Sequence, residues 1–384
     1  MNDSILLEKN LHLPVLEGFA NSFKSNKVLD LSKVLLICVQ HLFLTTHSLF
    51  SLLFEFGLRP ENLFVMGKCY STRPETLKLL TEDGVGVSRF SNFYDSHLAF
   101  DDYFQNNLEL EIESFLDKKN TEFNKIILLD EGGSLLSLFN KKYINKYSFS
   151  GIEQTSSGFN KLNSEKINFP IINVARSKAK LIYETPLVID LCVNRLKKHI
   201  YKRESQIKDI LVIGNGVIGS CMKKTLRNRF NIRTIDNKDY LSIDNYENEL
   251  ISLLPTCDAI IGCTGSCSIP KHLHKYLKRP NFLVSVSSSD REFDAVALRK
   301  KIEPRSNCHE DLWIEGLCLV NSGFPYPFDG NYEEIDLKDF QLTRGLLLAG
   351  IFQSCLEKYQ GNGFVELNKK FQQEIVQKWI EYKS

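Results

Sequence analysis

The stretch from Asp209 to Asp236 constrains the fold of this chain more than any other. It begins with an apolar run, Ile210–Ile213, which predicts a buried parallel strand. The run leads directly into the turn Gly214–Gly219, which has the pattern G-x-G-x-x-G. A predicted helix, Ser220–Arg229, and a second predicted strand, Ile232–Ile235, follow the turn. A strand, a glycine turn, a helix and a strand in this order are typical of half a dinucleotide-binding sheet.

Each glycine of the turn has a physical task. Gly214 allows the tight turn, Gly216 lets the backbone approach a pyrophosphate, and Gly219 lets helix and strand pack closely. Asp236 lies 22 residues beyond Gly214, where a carboxylate would accept hydrogen bonds from ribose hydroxyls. An Asp would repel a 2′-phosphate, so NAD is favoured over NADP, although the nearby Arg233 is a residue type that accepts such a phosphate. The alternative is a glycine-rich turn that binds nothing.

Composition narrows the remaining classes of function. The 384 residues predict two or three domains, and a net charge of +1 indicates neither a nucleic-acid nor an acidic-membrane partner. The ten cysteines contain no C-x-x-C pair, which favours reduced thiols in a cytoplasmic protein and predicts no metal site. No apolar run reaches the roughly 18 residues of a membrane span.

Strands alternate with helices on both sides of the glycine turn, which predicts parallel, doubly wound sheets. The clearest strand of the first half, Ile126–Leu129, leads into Asp130-Glu131-Gly132-Gly133. The fold class is therefore α/β, with two doubly wound parallel-sheet domains. Residues 181–201 form a predicted hinge helix, and two further helices are predicted at Leu342–Lys358 and Phe364–Tyr382.

Six short runs match one known family in their order along the chain. They are Asp130-Glu131-Gly132-Gly133, Gly151–Gly158, Asn173–Lys180, Gly214–Gly219, Thr264-Gly265 and Val320-Asn321-Ser322-Gly323. In this order they resemble S-adenosyl-L-homocysteine hydrolase, and Cys69-Tyr70-Ser71-Thr72 is similar to a further motif of that family. The resemblance covers roughly residues 40 to 350.

The resemblance implies a tightly bound NAD and a Rossmann domain at 200–330, inserted into a substrate-type domain formed by 1–180 and 340–384. The family oxidises a ribose 3′-hydroxyl, eliminates the 5′-thiol, adds water and reduces the product back. Its motifs place catalytic groups at Lys178 and Glu131, and the substrate-binding groups at Gln154, Cys69 and Thr72. A tyrosine within hydrogen-bonding reach of a lysine can act as acid and base on a hydroxyl, so Tyr183 is a third catalytic candidate. The cofactor-binding residues so implied are Gly214, Asn215, Gly216, Val217, Ile218, Gly219, Asp236, Thr264, Gly265 and Asn321.

The chain departs from the family at the groups that move protons. Ile182 and Tyr183 stand where the family has an Asp and an Asn, and Gln154 replaces the Glu that holds the ribose. Ser288 stands where a His is expected, and no His follows His309, so the second family His is also missing. Efficient hydrolysis of S-adenosylhomocysteine is therefore not expected.

Two functions stay open from the sequence. The first is NAD-dependent redox chemistry on the hydroxyl of a nucleoside-like or sugar substrate, and the second is a non-catalytic NAD-binding sensor or partner subunit. An active adenosylhomocysteinase is less favoured. Lys178 could equally be a surface lysine, Glu131 a helix cap and Tyr183 a packing residue. Assembly as a homodimer or homotetramer is left open.

Overall fold

The computed structural model describes residues 11–24, 29–119, 123–201, 203, 206–330, 337–359 and 361–384. The chain divides into two compact units. The first comprises the described residues of Met1–Phe93, Gln105–Thr185 and Asp336–Ser384, and the second those of Tyr94–Phe104 and Pro186–Ile335. Because the first unit is interrupted by the second, its sheet is built from segments far apart in the sequence.

The first unit contains a seven-stranded sheet. In chain order its strands are β1 (Val34–Val39), β2 (Leu63–Met66), β3 (Gly86–Val87), β4 (Lys125–Asp130), β5 (Phe149–Glu153), β6 (Pro170–Asn173) and β13 (Gly363–Glu366). Their spatial order is β13-β6-β5-β4-β1-β2-β3, and every pairing is parallel. The chain therefore reverses direction across the sheet between β1 and β4, whose side chains are almost entirely buried. This is the topological switch point, where open α/β sheets bind ligands.

The second unit contains a six-stranded sheet. Its strands are β7 (Asp209–Ile213), β8 (Asn231–Ile235), β9 (Ala259–Gly262), β10 (Asn281–Ser285), β11 (Leu312–Ile314) and β12 (Leu317–Leu319). The spatial order is β11-β12-β10-β9-β7-β8, with only the β11–β12 pair antiparallel. The switch point of this sheet lies between β7 and β9. Apolar clusters cover both faces of the sheet.

Twelve α-helices connect and cover these strands in the described part of the chain. They are α1 (Pro14–Lys24), α2 (Leu44–Phe54), α3 (Pro74–Glu82), α4 (Phe100–Asp117), α5 (Ser134–Lys142), α6 (Ser156–Asn163), α7 (Thr185–Tyr201), α8 (Val217–Leu226), α9 (Ile243–Leu253), α10 (Ala295–Arg299), α11 (Leu337–Leu356) and α12 (Lys369–Lys383). None of them is long and apolar enough to cross a membrane.

The predicted α/β class with two doubly wound parallel sheets is confirmed. The helix after the glycine turn begins at Val217, three residues earlier than predicted, because it starts on the turn itself. The predicted helix at Phe364–Tyr382 is wrong at its start. Phe364 and Val365 instead pair with β6 as strand β13, and the side chain of Asn368 caps a helix that begins only at Lys369.

Candidate functional site

The glycine turn of the second unit is tightly packed at two of its glycines and open at the third. Gly214 has a φ of 100°, and a Cβ there would lie 2.9 Å from the carbonyl carbon and oxygen of Cys263. A Cβ on Gly219 would lie 1.9 Å from the carbonyl oxygen of Gly214. A Cβ on Gly216 would have no neighbour within 4 Å. The turn is thus closed towards the protein and open only at the position where a ligand would approach.

Helix α8 presents its first turn at the same place. Gly216 is its N-cap residue and offers no side chain to the free backbone N–H groups of the first turn. Val217, the first helical residue, is 64% exposed. An uncapped helix N-terminus beside an open glycine is suited to bind a phosphate group.

Asp236 closes the other side of the turn. Its carboxylate accepts a hydrogen bond of 2.7 Å from the backbone N–H of Asn215 and one of 3.1 Å from that of Lys238. The structure thereby brings the acidic residue at the end of β8 to the glycine turn. The guanidinium group of Arg233 donates a hydrogen bond of 2.7 Å to Thr256. Arg233 is therefore engaged with Thr256, while Asp236 contacts the turn.

Thr264 and Gly265 follow β9, on the opposite side of the switch point. Both are exposed, and both are held by the fully buried carboxylate of Glu292. Glu292 accepts hydrogen bonds of 2.7 and 2.8 Å from the backbone N–H groups of Thr264 and Gly265, and one of 2.8 Å from the Thr264 hydroxyl. It also accepts one from the hydroxyl of Ser287. Sequence reasoning missed Glu292, because nothing in its neighbourhood along the chain shows which loop it reaches.

Asn321 is placed differently from the other predicted cofactor residues. It is buried, with a φ of 51°, and its amide nitrogen donates hydrogen bonds to the carbonyls of Pro325 and Phe328 at 3.0 and 3.1 Å. Its side-chain oxygen lies 3.3 Å from Nδ1 of His309. The polar atoms of this side chain are therefore used to fold the loop after β12.

A buried cluster of charged side chains lies at the switch point of the first unit. Lys68, two residues beyond β2, forms an ion pair with the carboxylate of Glu131, directly after β4, and donates to the Glu131 carbonyl at 2.9 Å. Nε2 of His41, just beyond β1, lies 3.5 Å from the same carboxylate. Nδ1 of His41 lies 2.5 Å from Oγ of Ser71. Glu131 is thus fixed by side chains from the loops after two neighbouring strands and does not merely cap a helix.

These contacts divide the carboxyl groups into two kinds. Burial alone would raise the pKa of Glu131, but His41 and Lys68 outweigh it and hold this pKa well below its usual range. Burial raises the pKa of Asp130 to about 6. Burial, with Asp130 nearby, also raises the pKa of Glu153 well above its usual range. The edge therefore holds one fixed carboxylate and two carboxyl groups that retain protons more readily than usual.

The predicted substrate-binding residues lie around this cluster. Gln154 is 7% exposed, and its side-chain oxygen has no hydrogen-bond partner among the residues described here. Thr72 is buried and donates a hydrogen bond of 2.9 Å to the Lys68 carbonyl. Cys69 is also buried, in the short 3₁₀ turn between them. Of the three, Gln154 retains a polar atom that could accept a hydrogen bond from a ligand.

Lys178 and Tyr183 lie together, in a different setting from Glu131. Both line a cavity of 410 Å³ in the first unit, and neither Glu131 nor Gln154 contributes to its walls. Lys178 is exposed, whereas Tyr183 is half-buried, with its ring centroid 6.1 Å from that of Trp379. The structure therefore separates the three predicted catalytic residues into two groups.

Comparison with known proteins gives relatives without an assigned role. No protein-family profile matches the chain. An uncharacterized protein found in two strains of Mycobacterium tuberculosis is 38% identical over 335 residues. The match covers 85% of this chain, and the chain spans 65% of the length of that relative.

Among solved structures, the chain is similar at low level to NAD⁺-bound 3-phosphoglycerate dehydrogenase of Entamoeba histolytica. The identity is 13%, the TM-score is 0.32, and the alignment covers 64% of this chain and 84% of the other. A component of dipicolinate synthase from Bacillus halodurans gives 10% identity and a TM-score of 0.32, covering 70% of this chain and 87% of the other.

Proposed function

We propose that the second unit binds NAD(H), and that the protein uses it for redox chemistry on the hydroxyl of a nucleoside-like or sugar substrate. The observation that carries the proposal is the contrast among the three glycines. Gly214 and Gly219 are packed against backbone atoms, whereas Gly216 opens into free space beside the first turn of α8. A glycine-rich turn with a purely structural role would not require a glycine at position 216.

The residues present fit a dinucleotide with an unphosphorylated ribose. The backbone N–H groups of α8 would hold the pyrophosphate, and Asp236 would accept hydrogen bonds from the ribose hydroxyls. Thr264 and Gly265, held by Glu292, would line the far side of the site. NAD, when bound, supplies a hydride acceptor, so that an alcohol can be oxidised.

The first unit supplies groups that suit a substrate with several hydroxyls. The side-chain oxygen of Gln154 and the side-chain nitrogen of Gln40 are buried at the edge of the sheet without hydrogen-bond partners in the described chain. Leaving such groups unpaired costs roughly 1–3 kcal/mol each. A ligand with hydroxyl groups would satisfy both the acceptor and the donor. The fixed carboxylate of Glu131 offers a further acceptor at the same edge.

The cofactor assignment is tested by replacing the open glycine. Gly216→Val should abolish NAD binding in calorimetry, because the new side chain occupies the space of the pyrophosphate, while thermal stability stays unchanged. Gly361→Val is the matched control, since Gly361 also has no neighbour within 4 Å of its Cβ but lies in the first unit. Undiminished NAD affinity in Gly216→Val would reject the assignment.

The redox assignment is tested with protein saturated with NAD. Addition of nucleosides or free sugars should produce the absorbance of reduced nicotinamide for at least one of them. S-adenosylhomocysteine should release free thiol far more slowly than about 1 s⁻¹, the lower end of ordinary enzyme turnover. Thiol release at that rate or faster would mean that the protein is an ordinary S-adenosylhomocysteine hydrolase.

A second candidate function is an NAD-binding sensor or partner subunit without catalysis. Two observations favour it: Glu131 is engaged with Lys68, and Lys178 is exposed beside the apolar Ile182, where the family has an acid. A protein that binds NAD tightly but reduces it with none of the tested alcohols would support this second candidate over the first.

A further inference from the structure

The cavity that contains Lys178 has features that the proposed redox function does not use. We infer that this cavity in the first unit is a binding site for a small organic anion with an apolar body, such as a carboxylate or phosphate monoester carried on a hydrocarbon skeleton. The inference goes beyond the proposed function, because it requires neither bound NAD nor the second unit.

The size and walls of the cavity suit a small molecule. Its volume is 410 Å³, within the usual range for ligand sites. Apolar side chains form much of its lining. They come from the segment after β6, from the residue directly after β13 and from α12: Ala179, Ile182, Leu367 and Val376. The side chain of Ile182 is 58% exposed at the cavity wall. An apolar ligand body would cover it.

The charges around the cavity select the polar end of the ligand. Arg176, Lys178 and Lys369 contribute three positive charges, and Glu366 contributes one negative charge. Glu366 lies 3.5 Å from Lys369, and both side chains are largely exposed. Within the described chain, the Lys178 ammonium group has neither a hydrogen-bond nor an ion-pair partner. An anionic group on the ligand would supply one.

Arg176 is held in place at the rim. Its guanidinium group donates a hydrogen bond of 3.1 Å to the side-chain oxygen of Asn160. The same group lies 5.0 Å from the centre of the Phe159 ring, within cation–π range. Less side-chain entropy is therefore lost when Arg176 meets an anion than a free arginine would lose.

The cavity is formed without a ligand because its two walls are tied together. The amide of Gln372, on α12, accepts a hydrogen bond of 3.2 Å from the Ala179 N–H and donates one of 2.7 Å to the Leu367 carbonyl. Between Lys180 and Glu184 the chain forms a π-helical turn, which an ion pair of 2.9 Å between these two residues spans. Such turns occur frequently at functional sites, and this one places Ile182 and Tyr183 at the cavity.

The test uses simple probes on the full chain. Octanoate and octyl phosphate should each bind with a Kd of about 1 mM or tighter in calorimetry, as expected for ligands of this size. Octanol lacks the charge, octylamine carries the wrong one and inorganic phosphate lacks the apolar body, so each should bind at least tenfold more weakly. The carboxylate and phosphate arms show which anion the site prefers.

Two variants place the binding in this cavity. Lys178→Gln and Ile182→Asp should each weaken the binding of octanoate at least tenfold, the first by removing the charge partner and the second by adding a like charge to an apolar wall. Lys370→Gln is the matched control, because Lys370 is exposed next to Lys369 but does not line the cavity. It should change the Kd less than twofold at physiological ionic strength.

The outcomes separate this inference from the proposed function. NAD affinity should be equal in all three variants, and an unchanged free energy of unfolding of the first unit would show that this unit remains folded in each of them. Loss of octanoate binding with intact NAD binding supports the anion site. The inference would be overturned if neither anionic probe bound. It would also be overturned if Lys178→Gln and Ile182→Asp bound octanoate as tightly as the unaltered chain does. Neither outcome would affect the assignment of NAD.

Discussion

The two sheets reverse direction in the same way, but the two switch points are filled differently. In the first unit the position between β1 and β4 holds side chains of the protein itself, with Lys68 and His41 around Glu131. In the second unit the position between β7 and β9 holds backbone, with an open Gly216 and an uncapped helix. At the edge of the first sheet, charged side chains pair with one another. At the edge of the second sheet, the backbone N–H groups at the start of α8 have no side chain of an N-cap residue as a partner. Under the proposed function, the first edge would recognise the hydroxyls of a substrate and the second would bind the phosphates of NAD.

The contrast between the two switch points is tested most severely by a substitution at Gly219, the glycine of the turn that packs against backbone. Gly219→Val should destabilise the second unit by about 5 kcal/mol or more, because its Cβ would lie 1.9 Å from a backbone oxygen. The two tryptophans report on the units separately, since Trp313 lies in the second and Trp379 in the first. Urea unfolding followed by Trp313 fluorescence in a Trp379→Phe background should show the loss. A stable Gly219→Val would mean that the turn is not packed as described.

The charge cluster of the first unit should show the next largest effect. Lys68→Met leaves the buried Glu131 carboxylate without its lysine partner, which typically costs roughly 3–5 kcal/mol. Trp379 fluorescence in a Trp313→Phe background measures the free energy of unfolding. The double variant Lys68→Met with Glu131→Leu should recover most of that loss. If the single and double variants were equally stable, the pair would not be a buried ion pair.

The pKa of Asp130 predicts a dependence of stability on pH that is confined to the first unit. This pKa is raised to about 6 from an ordinary 3.8, so the folded state keeps a proton that the unfolded state releases. Stability is therefore fully present below about pH 4 and falls as pH rises through 6. Relative to wild type, Asp130→Asn should gain roughly 2–3 kcal/mol between pH 4 and pH 8. A difference independent of pH would contradict the shift.

The smallest effect concerns the carboxylate at the edge of the second unit. Asp236→Asn should lower NAD affinity about tenfold, because a hydrogen bond to a charged acceptor becomes one to a neutral acceptor. Arg233→Gln should change it less than twofold, since Arg233 is bonded to Thr256. Calorimetric titrations of both variants with NAD and NADP measure this. An improvement in NAD affinity for Asp236→Asn would remove Asp236 from the proposed site.

Features that depend on residues close together in the sequence could be predicted. Contacts between residues on different strands of a sheet could not. The glycine turn and its helix are specified within a few residues, so Gly214, Gly219 and Asp236 could be placed from spacing alone. Lys68 and Glu131 meet although they are 63 residues apart, and nothing near either of them names the other. Glu292 likewise reaches Thr264 from 28 residues away.

The failed helix start at Phe364 has a similar cause. Phe364 and Val365 continue the apolar periodicity of the helix that follows, and only the free edge of β6 makes them a strand. A lone strand gains its hydrogen bonds from a partner that sequence periodicity does not reveal. The placement of Lys178 and Tyr183 around a cavity, apart from Glu131, also depends on where α12 packs.

Strand β13 has a consequence for how the protein is made. It pairs with β6, yet the larger segment of the second unit, Pro186–Ile335, is translated between them. During synthesis, therefore, β6 remains an unpaired edge strand of the first sheet until β13 has been translated, and the intervening segment can fold in that time. A stalled nascent chain ending before Gly363 should present that edge to other chains, and its aggregation would reveal the cost of completing a sheet last.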